Sequence, residues 1–275
     1  MARILITNDD GIHSPGPFIL RAALKELGET WIVAPEKPKS ATGLGMTLHK
    51  PLRIKPFGKE EKTYAISGTP SDIIHLARNV IVKDIDIVVS GVNIGDNTST
   101  QVILSSGTVG AAAQAALENI PAVAVSAAVG SAEELVGNRM LTLAIKAVVK
   151  EICARVLNKG LPEGVDLLNV NFPAQITDKT NVVLAPAAKT RFSELVDERI
   201  DPLGNKYYWI YGEPKDPVEG TDVYEVFVAG NIAVTPISLN INADVFEPVR
   251  HARVSAFVKA GQRGLEKLWK DSKNV

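Results

Sequence analysis

A single cysteine, Cys153, is all the thiol chemistry in this chain of 275 residues. That excludes an intrachain disulfide and a cysteine-rich zinc site, and the apolar helical stretch around Cys153 reads as plain core. No run of about 18 apolar residues exists, so nothing is predicted to span a membrane. Net charge is −1, with no basic block and no acidic tail. Broad nucleic-acid or membrane-surface binding needs an excess of positive charge, so neither a nucleic-acid polymer nor a membrane is expected as a partner. The four histidines, His13, His49, His75 and His251, are scattered without metal-ligand spacing. There is no Walker A pattern and no G-x-S-x-G nucleophile elbow, and Gly43-Leu44-Gly45-Met46-Thr47-Leu48 lacks the third glycine of a dinucleotide fingerprint. Met1-Ala2-Arg3 ahead of Ile4-Leu5-Ile6 is too short for a signal peptide and reads as the start of a strand. A cytoplasmic protein is the expectation.

What is present is ordinary for a globular protein with a large core: 45% hydrophobic and 22% charged residues. The first part alternates short apolar strands with helical segments, the pattern of a parallel sheet wrapped by helices. Strands are predicted at Ile4–Thr7, Trp31–Ala34, Ile85–Ser90, Val123–Ser126 and Leu167–Asn171, with an extra extended pair within 46–66. Helices are predicted at Pro17–Leu27, Pro70–Asn79, Thr108–Glu118 and Ala132–Leu157. The last opens on a Ser131/Glu134 capping box and lines Leu141, Ile145, Val148 and Ile152 along one face. Thr69-Pro70-Ser71-Asp72 is a second strong helix start.

The character changes after residue 187. Phe192–Ile200 and Lys206–Tyr211 flank the turn-like Asp201-Pro202-Leu203-Gly204-Asn205, giving a long hairpin. Strands are expected near Val223–Val228 and Ile232–Thr235, and a helix over Ser255–Lys270. Tyr207, Tyr208, Trp209 and Tyr211 need something to pack on, either a second subunit or the chain's own core. The fold class expected is α/β, a Rossmann-like, mostly parallel sheet flanked by helices with a protruding C-terminal β-hairpin and oligomerisation segment. The expected division is 1–187 as catalytic core and 188–275 as subunit-exchange region, with one continuous domain as the alternative.

Ligands of open parallel sheets bind beyond the carboxyl ends of the strands. Three of the predicted strands end in short-polar, Gly-rich loops: Thr7-Asn8-Asp9-Asp10-Gly11, the loop ending Lys39-Ser40-Ala41-Thr42-Gly43, and Ser90-Gly91-Val92-Asn93-Ile94-Gly95-Asp96-Asn97. All three should share one edge. Asp9 and Asp10, leaving a buried strand side by side, repel one another, and a divalent cation is the simplest remedy. Ser40 and Asn93 would add neutral oxygens, a shell that favours Mg²⁺ or Mn²⁺ over zinc. Ser105-Ser106-Gly107-Thr108 opens a small-residue helix, a candidate anion site beside the metal. His13, close to the acidic loop, is a lesser candidate for touching substrate.

Taken in order, "ILITNDDGIHSPG", "VAPEKPKSATG", "SGTPSD", "SGVNIGDN" and "SGTVGAA" resemble the SurE family of 5′/3′-nucleotidases. The motifs are dense over about the first 120 residues, and the C-terminal half matches more loosely through its hairpin and "VTPI". The resemblance implies a phosphomonoesterase for nucleoside 5′- and 3′-monophosphates, a 5′-nucleotidase of acid-phosphatase-like type. It also implies one Mg²⁺ or Mn²⁺ per subunit and a homodimer or homotetramer that exchanges C-terminal segments. Carried over by residue, the metal ligands are Asp9, Asp10, Ser40 and Asn93, and phosphate falls to Asn97, Ser106, Gly107 and Thr108. Two departures stand out. Ser105 takes a place where the family usually has His or Tyr, and "VTPI" continues as Ser238-Leu239-Asn240.

Metal-assisted hydrolysis follows as the expected chemistry, with Asp9 orienting or deprotonating the attacking water and a covalent aspartyl-phosphate as the competing route. Two other classes stay open at this point: a receiver-like Mg²⁺-binding signalling module, and a non-catalytic nucleotide-binding scaffold that assembles through the hairpin.

Overall fold

A computed structural model of the chain describes residues 1–59 and 61–241. Met1–Ser238 pack as one unit, and 239–275 form a second that is described only through residue 241, so the helix expected over Ser255–Lys270 lies outside the described residues.

In chain order the elements are β1 (Ala2–Thr7), α1 (Gly16–Leu24), β2 (Gly28–Pro35), β3 (Ile54–Pro56), β4 (Thr63–Ile66), α2 (Pro70–Leu76) and β5 (Ile87–Ile94). Then come α3 (Ser99–Ser105), α4 (Gly107–Leu117), β6 (Ala122–Ala127), α5 (Ala132–Gly137), α6 (Arg139–Lys159), β7 (Leu167–Phe172) and β8 (Val182–Leu184). The described chain closes with β9 (Leu195–Ile200), β10 (Lys206–Tyr211), α7 (Asp222–Tyr224) and β11 (Ile232–Ile237). Nine strands form one sheet in the order β3-β4-β2-β1-β5-β6-β7-β11-β8, and β9 and β10 pair separately. From β4 to β7 every pairing is parallel; β3 and β11 join antiparallel. Among the described residues no helix is long and apolar enough to cross a membrane.

The sheet is buried on both faces, which is why its strands read as apolar runs rather than alternations. Ile4, Ile6, Ile87, Val89, Val123, Val125, Val170 and Phe172 form one core with α1 and α6. From α6 come Leu141, Ile145, Val149 and Cys153, a four-residue repeat that keeps one stripe inward. Truncating Leu141, fully buried there, to alanine costs about 2–5 kcal/mol. Gly- and Ala-rich α4 packs with α2 and lies on β5, β6 and β7.

The predicted helix 132–157 is broken in two. Asn138 leaves helical geometry, and its side chain accepts from the Leu141 N–H at 3.0 Å, capping α6. Ser131 caps α5 by accepting from Glu134 N–H, while the Glu134 carboxylate reaches Gly130 N–H at 2.7 Å instead of closing a box on Ser131. The Thr69/Asp72 box forms reciprocally, at 3.2 and 2.8 Å. The segment 223–228, expected as a strand, is helical. Thr221 caps α7, and Glu225–Ala229 continues it as a π-helical turn. The strand expected to end at Ser90 runs on to Ile94 as β5, so Asn93 sits on a strand end rather than in a loop.

The hairpin pairs antiparallel from Leu195–Tyr211 to Ile200–Lys206. Every residue of β10 is exposed, Trp209 at 59%, so its aromatic side chains do not fold back onto the chain's own core. Its root is stitched to α3. Gln101 Oε1 accepts from the backbone N–H groups of Arg191 and Phe192 at 2.9 and 3.0 Å, and Lys215 N–H donates to Arg191 O at 3.0 Å.

Candidate active site

The chain leaves β1 for β2 on one side and returns for β5 on the other, so the sheet order reverses at the β1/β5 seam. Such a switch point opens a crevice at the carboxyl ends of the strands. β1 delivers Asn8-Asp9-Asp10 to it, and β5 delivers Asn93. Asn8 closes the turn by donating from Nδ2 to Gly11 O at 3.1 Å.

Three segments meet here. Lys39 N–H donates to Asp9 O at 2.7 Å, laying the loop that carries Ser40 over the Asp9 turn. Gly43 N–H donates to Ser105 O at 2.9 Å, tying the far end of that loop to the chain just before α4. At the start of α4, Gly107 has no room for a side chain. A Cβ there would lie 2.8 Å from Asp9 Cβ and 2.9 Å from Thr42 Oγ1. Glycine at this position is what lets the acidic turn, the Ser40 loop and the helix start touch.

The polar atoms converge accordingly. Thr108 Oγ1 donates to Asp9 Oδ1 and lies 3.4 Å from Asn93 Oδ1. Asn93 Nδ2 donates to Gly95 O at 2.8 Å, which turns Oδ1 toward Thr108. Asp10 Oδ2 accepts from Ile94 N–H at 3.1 Å. Asp9 is 5% exposed. Burial pushes its carboxyl above the ordinary range, against the pull of the Thr108 hydroxyl and of the backbone at Thr108 and Gly107. Burial likewise raises Asp10 to about 6, opposed by Ile94 N–H and reinforced by the charge of Asp9.

The expected residues do not all converge. Asp9, Asp10, Asn93 and Thr108 are brought together. Ser40 sits on the adjoining loop, exposed to solvent. Ser106 caps α4, accepting from Val109 N–H at 3.1 Å, and the anion nearest the helix start is the Asp9 carboxylate itself. Asn97 is 4% exposed, and its Nδ2 donates inward to Ser126 Oγ at 2.8 Å. His13 is exposed and meets Phe57 edge-on at 5.1 Å between ring centroids. Reading the sequence missed Asn169 and Asn171 of β7, whose side chains hold Asn97. The available signal was a pair of amides on a strand otherwise apolar.

Among the described residues no three His, Cys, Asp or Glu side chains cluster as a metal site. A cation here would therefore rely on two carboxylates and neutral oxygens. The donor chemistry fits a hard ion: a buried acid and a partly buried one stand side by side, the charge of Asp9 disfavouring that of Asp10, and the oxygens around them are amide and hydroxyl.

The sequence profile described as "Survival protein SurE" matches residues 4–194. The chain belongs to the SurE family. Its SurE relatives include the "5'-nucleotidase SurE" of Hyperthermus butylicus, 54% identical over 244 residues that cover 88% of this chain and 86% of that one. The protein of the same name from Thermofilum pendens is 53% identical over 239 residues, 86% and 91% of the two chains. The fold is similar to the crystal structure of SurE from Aquifex aeolicus, with a TM-score of 0.76 and 34% identity over 91% of this chain and 99% of that one. The family resemblance carried by the five motifs is thereby confirmed, as is the α/β class.

Proposed function

We propose that this chain hydrolyses nucleoside 5′- and 3′-monophosphates to nucleoside and phosphate, using one divalent cation, Mg²⁺ or Mn²⁺, per subunit. The observation that carries it is the pairing of Asp9 and Asp10, both with raised pKa, against Asn93 and the start of α4. The names of the SurE relatives support a nucleotide substrate. Asp9, Asp10, Ser40 and Asn93 would hold the cation. When bound it supplies charge neutralisation and Lewis-acid polarisation of a phosphoryl oxygen, and it makes water more acidic.

The remaining work falls to side chains and backbone. Asp9, oriented by the Thr108 hydroxyl, accepts the proton of the attacking water. The N–H groups at the start of α4 and the Ser106 hydroxyl offer donors at the positive end of a helix, where a phosphoryl oxygen is favoured, while the Thr108 hydroxyl proton is committed to Asp9. Asn97, expected on phosphate, turns its side chain to Ser126 and backs the phosphate edge from behind. Exposed Tyr207, Tyr208, Trp209, Ile210 and Tyr211 form the contact of a homodimer or homotetramer, since an apolar ribbon of this kind is otherwise a liability in water.

Phosphate release from AMP and from 3′-AMP, with Mn²⁺ and with EDTA, tests the reading. Sustained, chelator-sensitive release is expected. A receiver-like module would give at most one phosphate per chain, and a scaffold none. Asp9→Asn is expected to abolish turnover while leaving the far-ultraviolet circular dichroism unchanged.

A further inference from the structure

We propose that Asn169 and Asn171 are positioning residues for the cation and phosphate site, acting through Asn97; the proposal rests on the phosphomonoesterase reading above. Both are fully buried on β7. Two residues apart on a strand, they share the sheet face away from Val170 and Phe172, which belong to the main core. A buried amide is costly unless its hydrogen bonds are made, so two on one strand need a reason.

The reason is a single residue. Asn97 N–H donates to Asn171 Oδ1 at 2.8 Å, and Asn97 O accepts from Asn169 Nδ2 at 2.8 Å and from Asn171 Nδ2 at 3.4 Å. The Asn97 side chain donates to Ser126 Oγ on β6 at 2.8 Å. Both main-chain groups and the side chain of Asn97 are thus fixed by side chains of β6 and β7.

What is fixed matters because of its neighbours. Upstream, Asn93 Oδ1 approaches Thr108 and Ile94 N–H holds Asp10. Downstream, buried Ser99 adopts φ 69°, a left-handed conformation unusual for serine, and its N–H is held by Asp222 Oδ2 at 2.8 Å. A conformation of this sort persists where the surroundings over-determine it. Asn97 stands between the strained turn and the residues that meet Asp10. Released from β7, the segment 93–99 would lose its fixed register and Asn93 and Asp10 would drift apart.

The test uses Asn169→Ala, Asn171→Ala and Ser126→Ala, with Thr235→Val as control. Thr235 is buried directly opposite Asn169 in the β7–β11 register, and its hydroxyl makes no hydrogen bond among the described residues. Folding is checked by circular dichroism, and Mn²⁺ alone is titrated against each folded chain by electron paramagnetic resonance of the free ion. Removing the supports behind metal ligands typically weakens binding by about 10–100-fold, and a rise in the Mn²⁺ Kd of that order is expected for the asparagine variants. kcat/KM on AMP is expected to fall in parallel, and Thr235→Val, which removes no hydrogen bond, should match wild type in both measurements. An unchanged Kd in folded Asn169→Ala and Asn171→Ala, or an equal loss in Thr235→Val, overturns the proposal. If the asparagine variants do not fold, Ser126→Ala decides by the same criterion. A wild-type chain that binds Mn²⁺ but releases no phosphate sinks the phosphatase reading alone, with the positioning role still scored on Kd. A wild-type chain that binds no Mn²⁺ sinks both.

Discussion

Thr108 donates its hydroxyl proton to Asp9 Oδ1, joining the start of α4 to the end of β1 across 99 positions of sequence. The bond orients the acid assigned to the attacking water and lowers its pKa against the effect of burial. Thr108→Val keeps the shape and removes the donor. Its kcat on AMP is expected to fall about 10–100-fold, as for other residues that orient a metal-site acid, with Thr108→Ser retaining most of the rate. Steady-state kinetics at saturating Mn²⁺ decide it, and a fully active Thr108→Val would remove Asp9 from its role.

Gly107→Ala should be worse for activity than for folding. The added methyl group would sit 2.8 Å from Asp9 Cβ, so the helix start and the acidic turn must part. Overpacking of this kind costs about 1–3 kcal/mol, an amount a domain of this size survives. Turnover below detection, with a melting transition still cooperative, is the expected pair of results.

Asp10 gives a pH dependence with a definite sign. Burial lifts its pKa from 3.8 to about 6, so the folded chain binds this proton more tightly than the unfolded chain does. Stability from this group is full below the unfolded value and is lost as the pH rises through the folded one. In EDTA, Asp10→Asn is therefore expected to melt higher than wild type above about pH 6, by a few degrees, with the gain shrinking toward about pH 4. Excess Mn²⁺ should reverse the order near neutrality. A variant that melts lower in EDTA would contradict the assignment.

Cys153 is a built-in reporter of unfolding. It is fully buried among the side chains of the main core, and burial pushes its thiol up to about 12. A thiol so placed presents almost no thiolate near neutral pH. Ellman's reagent is expected to label the native chain only as fast as it unfolds, and one equivalent at once in guanidinium chloride. Rapid labelling of the native protein would mean that α6 opens locally.

Trp209→Ser combined with Ile210→Ser tests the hairpin. Both side chains are exposed in the single chain, so their loss should leave the melting temperature of a monomer unchanged. Light scattering is expected to show the assembly falling to a smaller species. An unaltered mass would place the subunit contact elsewhere.

Much of this architecture was legible because β1 and β6 are mostly apolar runs and α2 begins on an unambiguous cap. The helix α3 was not. Its sequence Ser-Thr-Gln-Val-Ile-Leu-Ser has no helical periodicity, and it is held from outside, by Asp222 on Ser99 and by the carbonyls of Ala188 and Lys189 on Thr100 and Gln101. The stretch Val223-Tyr224-Glu225-Val226-Phe227-Val228 misleads for the converse reason. Its composition favours a strand, but the Thr221 cap and the buried Asp222 carboxylate, which accepts from Ala188 and Ser99, impose a helical turn. At the site, Asp9, Asp10 and Asn93 could be named because strand ends face the crevice. The grip of Asn169 and Asn171 on Asn97 could not, since it joins residues more than 70 positions apart.

The Gln101 amide gives the hairpin a mechanical meaning. Because its oxygen receives the first two N–H groups of the hairpin root, a push or twist on β9 and β10 is delivered to α3. That helix ends at Ser105, and the next residues along the chain are Ser106 and Gly107. A ribbon gripped by another molecule would then act as a lever whose short arm ends at the crevice.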